Sequence, residues 1–208
     1  MKLAVIGTGR MGKAVGRIWA ENGHAVMFGS RDAANGERVA KAIGHGALGG
    51  GVLDSAEFCD AALLAIPWFA FTDFERSIET ALDHKVIIDC INPLRSTGSL
   101  AIGHKWSAGE EIQKVLHRTH VVKAFNHLYS TSLGNASYAG QPASAFYCSN
   151  HDDAKAVVIQ LASEMGFDPV DAGPIKNARL LEPLAALWTQ LAFVTHHGPE
   201  TALKLVRR

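Results

Sequence analysis

Residues 2–32 read "KLAVIGTGRMGKAVGRIWAENGHAVMFGSRD", and this stretch decides the fold. The apolar run Lys2–Ile6 predicts a strand, and "MGKAVGRIWAENG" predicts the helix that follows it. Between them Gly7, Gly9 and Gly12 form GxGxxG. Gly7 allows the tight turn, Gly9 lets a pyrophosphate approach the backbone, and Gly12 lets helix and strand pack closely. The amino terminus of the helix then offers free amides and a partial positive charge to phosphate. A strand before the glycines and a helix after them make this a dinucleotide site. After the next strand, "AVMF" (25–28), the chain reads Gly29-Ser30-Arg31-Asp32. NAD binders place a carboxylate at the end of this strand, where it would repel a 2′-phosphate. Ser30 offers a hydroxyl instead, and Arg31 a charge-assisted fork, so the expected cofactor is NADP(H). Asp32 opposes this reading if it pairs with Arg31 or touches the ribose. Arg10 is a second candidate for the phosphate, whereas Arg38 and Lys41 read as solvated helix surface.

Working outward, further apolar runs are "AALLAI" (61–66), "KVIID" (85–89), "HVVKAF" (120–125) and "SAFYC" (144–148), alternating with amphipathic stretches. Strands apolar on both faces that alternate with helices predict an α/β fold, a Rossmann doubly wound parallel sheet with helices on both sides. "SNHDDAKAVVIQLASEMG" (149–166) has the start and stop signals of a helix, and "FDPVDAG" gives a short strand and turn. The expected organisation is a nucleotide-binding domain over 1–174 and a small carboxy-terminal helical segment over 175–208, in one compact unit. The glycine-rich 44–51 reads as a connecting loop.

Composition narrows the partners. The 208 residues carry 20 Lys+Arg and 20 Asp+Glu, so nothing draws the chain to nucleic acid or an anionic membrane. No apolar run approaches the ~20 residues of a membrane span. Cys59, Cys90 and Cys148 form no CxxC pair and fit a reduced, cytoplasmic protein. His196-His197 are adjacent, and a helix-to-strand boundary separates His117 from His120, so no metal site is expected.

Open α/β sheets bind ligands where their strands end. Those exits carry Pro67-Trp68, Asn92-Pro93 and Asn126-His127. Asn92, Asn126 and Trp68 are therefore candidate ligand contacts. His127 is the best proton donor if the acceptor needs one, although a structural role is commoner for such a residue. Trp188 and Phe193 read as core or dimer seam.

The stretches "GTGRMGKAV", "GSRD", "LLAIPW", "VVKAFN" and "SEMGFDPVDAGPIKNARLLEPL" resemble the NADPH-dependent deazaflavin coenzyme reductases and the oxidoreductase domain of STEAP-type metalloreductases. The resemblance runs over almost the whole chain. It implies that Thr8, Gly9, Arg10, Met11 and Gly12 hold the pyrophosphate and that Ser30 and Arg31 hold the 2′-phosphate. It places Ala65, Ile66 and Pro67 against the nicotinamide and its ribose, and Ala124, Phe125 and Asn126 against its amide or the acceptor. It also implies hydride transfer to a stacked flavin- or deazaflavin-like ring, which demands proximity and orientation more than an acid or base. Deazaflavin reductases tend to carry histidine where this chain has Asn126, the "AFN" form being that of the STEAP-like relatives. The expectation is an NADP-dependent oxidoreductase, without a membrane partner and paired as a homodimer; the alternative is a non-catalytic NADPH-binding sensor or redox subunit.

Overall fold

The apolar runs become strands of one sheet. In this computed structural model, which describes residues 1–71, 78–95 and 99–208, they are β1 (Lys2–Ile6), β2 (Ala25–Ser30), β3 (Leu48–Gly51), β4 (Ala61–Leu64), β5 (Val86–Asp89), β6 (His120–Ala124), β9 (Ser144–Ser149) and β10 (Asp168–Asp171). The hairpin β7 (Ser137–Tyr138) and β8 (Gln141–Pro142) lies apart from them. The sheet runs β10-β9-β6-β5-β4-β1-β2-β3, the doubly wound order that reverses direction between β1 and β4. Helices α1 (Arg10–Glu21), α2 (Ala33–Ile43), α3 (Val52–Phe58), α4 (Ala108–Val115), α5 (Asp152–Glu164) and α6 (Ala178–Thr189) cover it. Leu3, Val5, Val26, Leu63, Ile88 and Val122 face one apolar cluster, while Ala4, Ile6, Ala62, Leu64, Ile87 and Val121 face another. The period of two thus buries both faces of each central strand.

Three features depart from the expectations. Leu48–Gly51 is an edge strand parallel to β2, although 44–51 reads as a loop. The reason is close approach: a Cβ on Gly49 would lie 2.3 Å from the Gly36 carbonyl, so α2 crosses this strand on bare backbone. Second, β9 runs antiparallel to β6, so the sheet is not parallel throughout. Third, the carboxy-terminal helix is shorter than expected. After α6 a π-helical turn covers Gln190–Val194, and the remaining chain turns back to β9, where the Leu203 carbonyl accepts from the Ser144 amide at 2.9 Å. Trp188 is buried there, edge-on to Phe193, and donates to the Thr201 carbonyl at 2.9 Å.

Candidate active site

Two adjoining clefts open where β1, β2, β4, β5 and β6 end. The outer one, about 430 Å³, is lined by the glycine loop, Ser30, Arg31, Asp32, Asn35 and Arg38. The inner one, about 380 Å³, is lined by Arg10, Met11, Cys90, Asn92, Phe125, Asn126, Leu128, Tyr129 and Ser130. Both share Gly9, Ala65, Ile66 and Pro67, so they are the two halves of one groove across the switch point.

The middle of the groove is suited to a pyrophosphate. Gly9 caps α1 without any side-chain hydrogen bond, and the first turn carries no acidic residue, so the orphan amides point unopposed at the groove. A Cβ on Gly9 would stand in open space, while one on Gly12 would lie 2.1 Å from the Gly7 carbonyl oxygen. Only glycine at 12 lets α1 start this close to the loop.

At the outer end, Asp32 does not take the position of an NAD-selecting carboxylate. Its Oδ1 caps α2, accepting from the Ala34 amide at 3.2 Å. Asn35 organises the rest: its Nδ2 donates to Thr8 Oγ1 at 2.8 Å and to Ser30 Oγ at 3.1 Å, and its Oδ1 accepts from Arg38. Arg38 is exposed on α2, as its reading as helix surface expects, yet it also lines the cleft with Arg31. Two guanidiniums and a serine hydroxyl at this wall suit a dianionic phosphate.

At the inner end, two strand exits are locked together. Asn126 Nδ2 donates to Asn92 Oδ1 at 2.9 Å and to the Leu181 carbonyl at 2.9 Å, and Asn92 Nδ2 donates to the Asn126 carbonyl at 2.6 Å. Among the described residues Asn126 Oδ1 is buried without a partner, an acceptor that fits a carboxamide N–H. Phe125 makes this geometry possible with φ of 65°, a left-handed conformation that is costly for a bulky residue.

Beneath the exits lies a buried ionic triad. Lys123 Nζ sits 2.7 Å from Asp89 Oδ2 and 2.9 Å from Glu182 Oε1, and donates to the Ile91 carbonyl at 2.7 Å; all three side chains are 0% exposed. Glu182, on α6, also accepts from the Ala108 and Gly109 amides at the start of α4. Burial raises the Asp89 carboxyl and is opposed by the Lys123 charge; the two carboxylates hold the Lys123 ammonium above its usual range despite its burial. The triad joins β5, β6, α4 and α6 directly below Asn92 and Asn126.

Three expected contacts lie elsewhere. His127 does not line the groove: it is buried, its Nε2 3.0 Å from the Ser144 carbonyl, and burial lowers it to about 4. A neutral imidazole turned toward β9 is a structural group, not a proton donor to the cleft. Trp68 stacks on Phe71, ring centroids 6.0 Å apart, outside the walls of both cleft halves. Ala124 is fully buried behind Phe125 in the core. Conversely, Asn35, Arg38, Cys90, Leu128, Tyr129 and Ser130 line the groove without having been singled out as ligand contacts from the sequence. Cys90 is no nucleophile, since burial and then the Asp89 charge push its thiol up to about 12.

Residues 2–93 match the family described as NADP oxidoreductase, coenzyme F420-dependent. Over 209 aligned residues the chain is 30% identical to the F420-dependent NADP reductase of Methanothermobacter thermautotrophicus, covering 92% of this chain and 89% of that one. The chain belongs to the F420-dependent NADP reductase family. It is accordingly an NADP-dependent reductase. A solved structure from Arthrobacter sp. FB24, provisionally assigned as an F420-dependent NADP-reductase, superposes with a TM-score of 0.89 at 26% identity and 100% coverage of both chains. The chain also resembles the metalloreductase STEAP3 of Rattus norvegicus, 24% identical over 183 residues, but it spans only 36% of that protein. Among the described residues no helix is long and apolar enough to cross a membrane.

Proposed function

We propose that this reductase transfers hydride directly between NADP(H) and a deazaflavin of the F420 type. The observation that carries the reading is the continuous groove: the outer half ends in Arg31 and Arg38, and the inner half is shaped by Asn92, Phe125, Asn126, Leu128 and Tyr129. The nicotinamide supplies the hydride when bound. Ser30, Arg31 and Arg38 hold the 2′-phosphate, with Asn35 fixing the first and last of them. The α1 amides hold the pyrophosphate. Ala65, Ile66 and Pro67 form the waist that sets where the ring lies, and the Asn92–Asn126 pair orients its carboxamide. With the Cys90 thiol protonated and His127 turned away, catalysis rests on holding two planar rings face to face and keeping water from between them.

The balance is NADPH plus a proton and oxidised deazaflavin giving NADP⁺ and reduced deazaflavin. The test uses NADPH deuterated on one face of C4, with F420, flavins and quinones offered as acceptors. Transfer of the label to the ring of F420, at a rate well above that for flavins or quinones, is expected. Tight NADPH binding with no oxidation by any acceptor would instead support a sensor or redox subunit.

We also propose that the protein is a homodimer through α6 and the turn after it, because Leu180, Leu187, Phe193 and Val194 are large, apolar and exposed there. Sedimentation equilibrium should give twice the chain mass. Charged substitutions at Leu180 and Leu187 should return it to the monomer, and a wild-type monomer would overturn the proposal.

A further inference from the structure

At the end of the sheet opposite the groove, three potential ligands meet from elements distant in sequence. His120 opens β6, His151 precedes α5 as its cap residue, and Asp153 lies in the first turn of that helix. The two imidazoles stack, with centroids 4.3 Å apart and planes 3° from parallel, and His120 Nδ1 is hydrogen-bonded to Asp153 Oδ2. One ligand atom from each of the three residues lies within 4.8 Å of the others. We propose that His120, His151 and Asp153 form a binding site for a divalent transition ion of the zinc class, separate from the cofactor groove.

Two imidazole nitrogens and one carboxylate oxygen are a borderline donor set that suits zinc, nickel or copper, whereas calcium and magnesium take mainly oxygen. Imidazole binds metal in its neutral form, the form a histidine with an ordinary pKa largely takes at neutral pH. Ligand bonds of about 2.0–2.2 Å in a tetrahedron set donor atoms roughly 3.3–3.6 Å apart. To admit an ion, the hydrogen-bonded His120–Asp153 pair must part and the parallel rings must turn so that their in-plane nitrogens converge. The side chains have room to move: Asp153 is 58% and His120 31% exposed. The open side leaves a position for water. An ion held there would staple β6 to α5 beside the antiparallel joint of β6 and β9, where Ser149 Oγ already donates to the Val121 carbonyl at 2.6 Å. Its role is structural. No feature of the site reaches the groove at the other ends of the strands, so this inference stands whatever the acceptor proves to be.

The test is zinc titration of tag-free, chelator-treated protein, followed by calorimetry and thermal unfolding, with cobalt as a spectroscopic stand-in. One ion per chain should bind, raise Tm, and in the cobalt form give an intense tetrahedral visible band. His151→Gln, at a half-buried position, and Asp153→Asn, at an exposed one, should each weaken zinc about tenfold or more while leaving NADPH affinity unchanged. A variant of the adjacent pair, His196→Gln with His197→Gln, should bind zinc as the wild type does. Zinc affinity unaffected by His151→Gln and Asp153→Asn, or lost in the His196/His197 variant, would overturn the site.

Discussion

Lys123→Met is expected to lower folding stability at pH 7 by about 3–5 kcal/mol, the usual result of removing one partner from a buried ion pair. The substitution keeps the length and apolar stem of the side chain but removes the cation between Asp89 and Glu182, which lie 2.7 and 2.9 Å from its Nζ. Two carboxylates would remain without solvent. Glu182 keeps the Ala108 and Gly109 amides, and Asp89 keeps the Ile91 amide at 2.8 Å, so neither is wholly orphaned. Without the cation, however, the burial of Asp89 and the charge of Glu182 beside it both push the folded-state pKa of Asp89 upward, and only the Ile91 amide opposes them. A carboxyl whose folded pKa lies above its unfolded value destabilises above that range and ceases to do so as pH falls toward the unfolded value. The deficit of Lys123→Met should therefore shrink between pH 7 and pH 5. Replacing the triad together, with Asp89→Asn, Lys123→Met and Glu182→Gln, should be much less damaging than Lys123→Met alone. Urea unfolding at both pH values measures these differences; a loss below about 1 kcal/mol at pH 7 would show that the triad is hydrated in solution. Because Glu182 follows Leu181, whose carbonyl holds Asn126, the same substitution should also loosen the inner half of the groove.

That triad shows where sequence reasoning stops. "KVIIDC" and "VVKAFN" announce strands, and both became strands within a residue or two, because burial of both faces leaves an unmistakable apolar run. The charged residue inside each run gives no sign that it meets the other, since Asp89 and Lys123 become register partners only when β5 pairs with β6. Strand direction is equally silent in periodicity, so the antiparallel β9 was not distinguishable from a parallel neighbour. The glycine strand β3 has too few side chains to produce any pattern. For the site, the outer half was legible because the glycine loop and the Ser30–Arg31 turn are contiguous in the chain. The inner half was legible only as a list of strand exits. Which residue of Asn126-His127 faces the groove depends on the left-handed turn at Phe125, which no propensity predicts for a phenylalanine. Arg38 looked like ordinary helix surface because its partner, Asn35, is recognisable only once Asn35 is seen bridging Thr8 and Ser30.

The same local geometry makes the cofactor preference separable from the fold. Arg31→Ala should weaken NADPH by ~1.5–3 kcal/mol, the value of a charge-assisted hydrogen bond, while sparing NADH. Arg38→Ala should do the same and somewhat more, because it also frees Asn35, whose two donors hold Thr8 and Ser30 in place. In the double variant the preference for NADPH over NADH should fall by roughly a hundredfold or more, with NADH affinity within a few-fold of wild type. Asp32→Ala provides the contrast. Its carboxylate caps α2 and accepts from Ala34, so its loss should cost about 1 kcal/mol of stability and leave the cofactor ratio nearly unchanged. Were Asp32 instead a ribose ligand, its removal would weaken NADH strongly and the two arginine variants would lose both cofactors alike. Titrating each variant with both nucleotides distinguishes these patterns, since only a 2′-phosphate contact discriminates between two molecules that differ in that group alone.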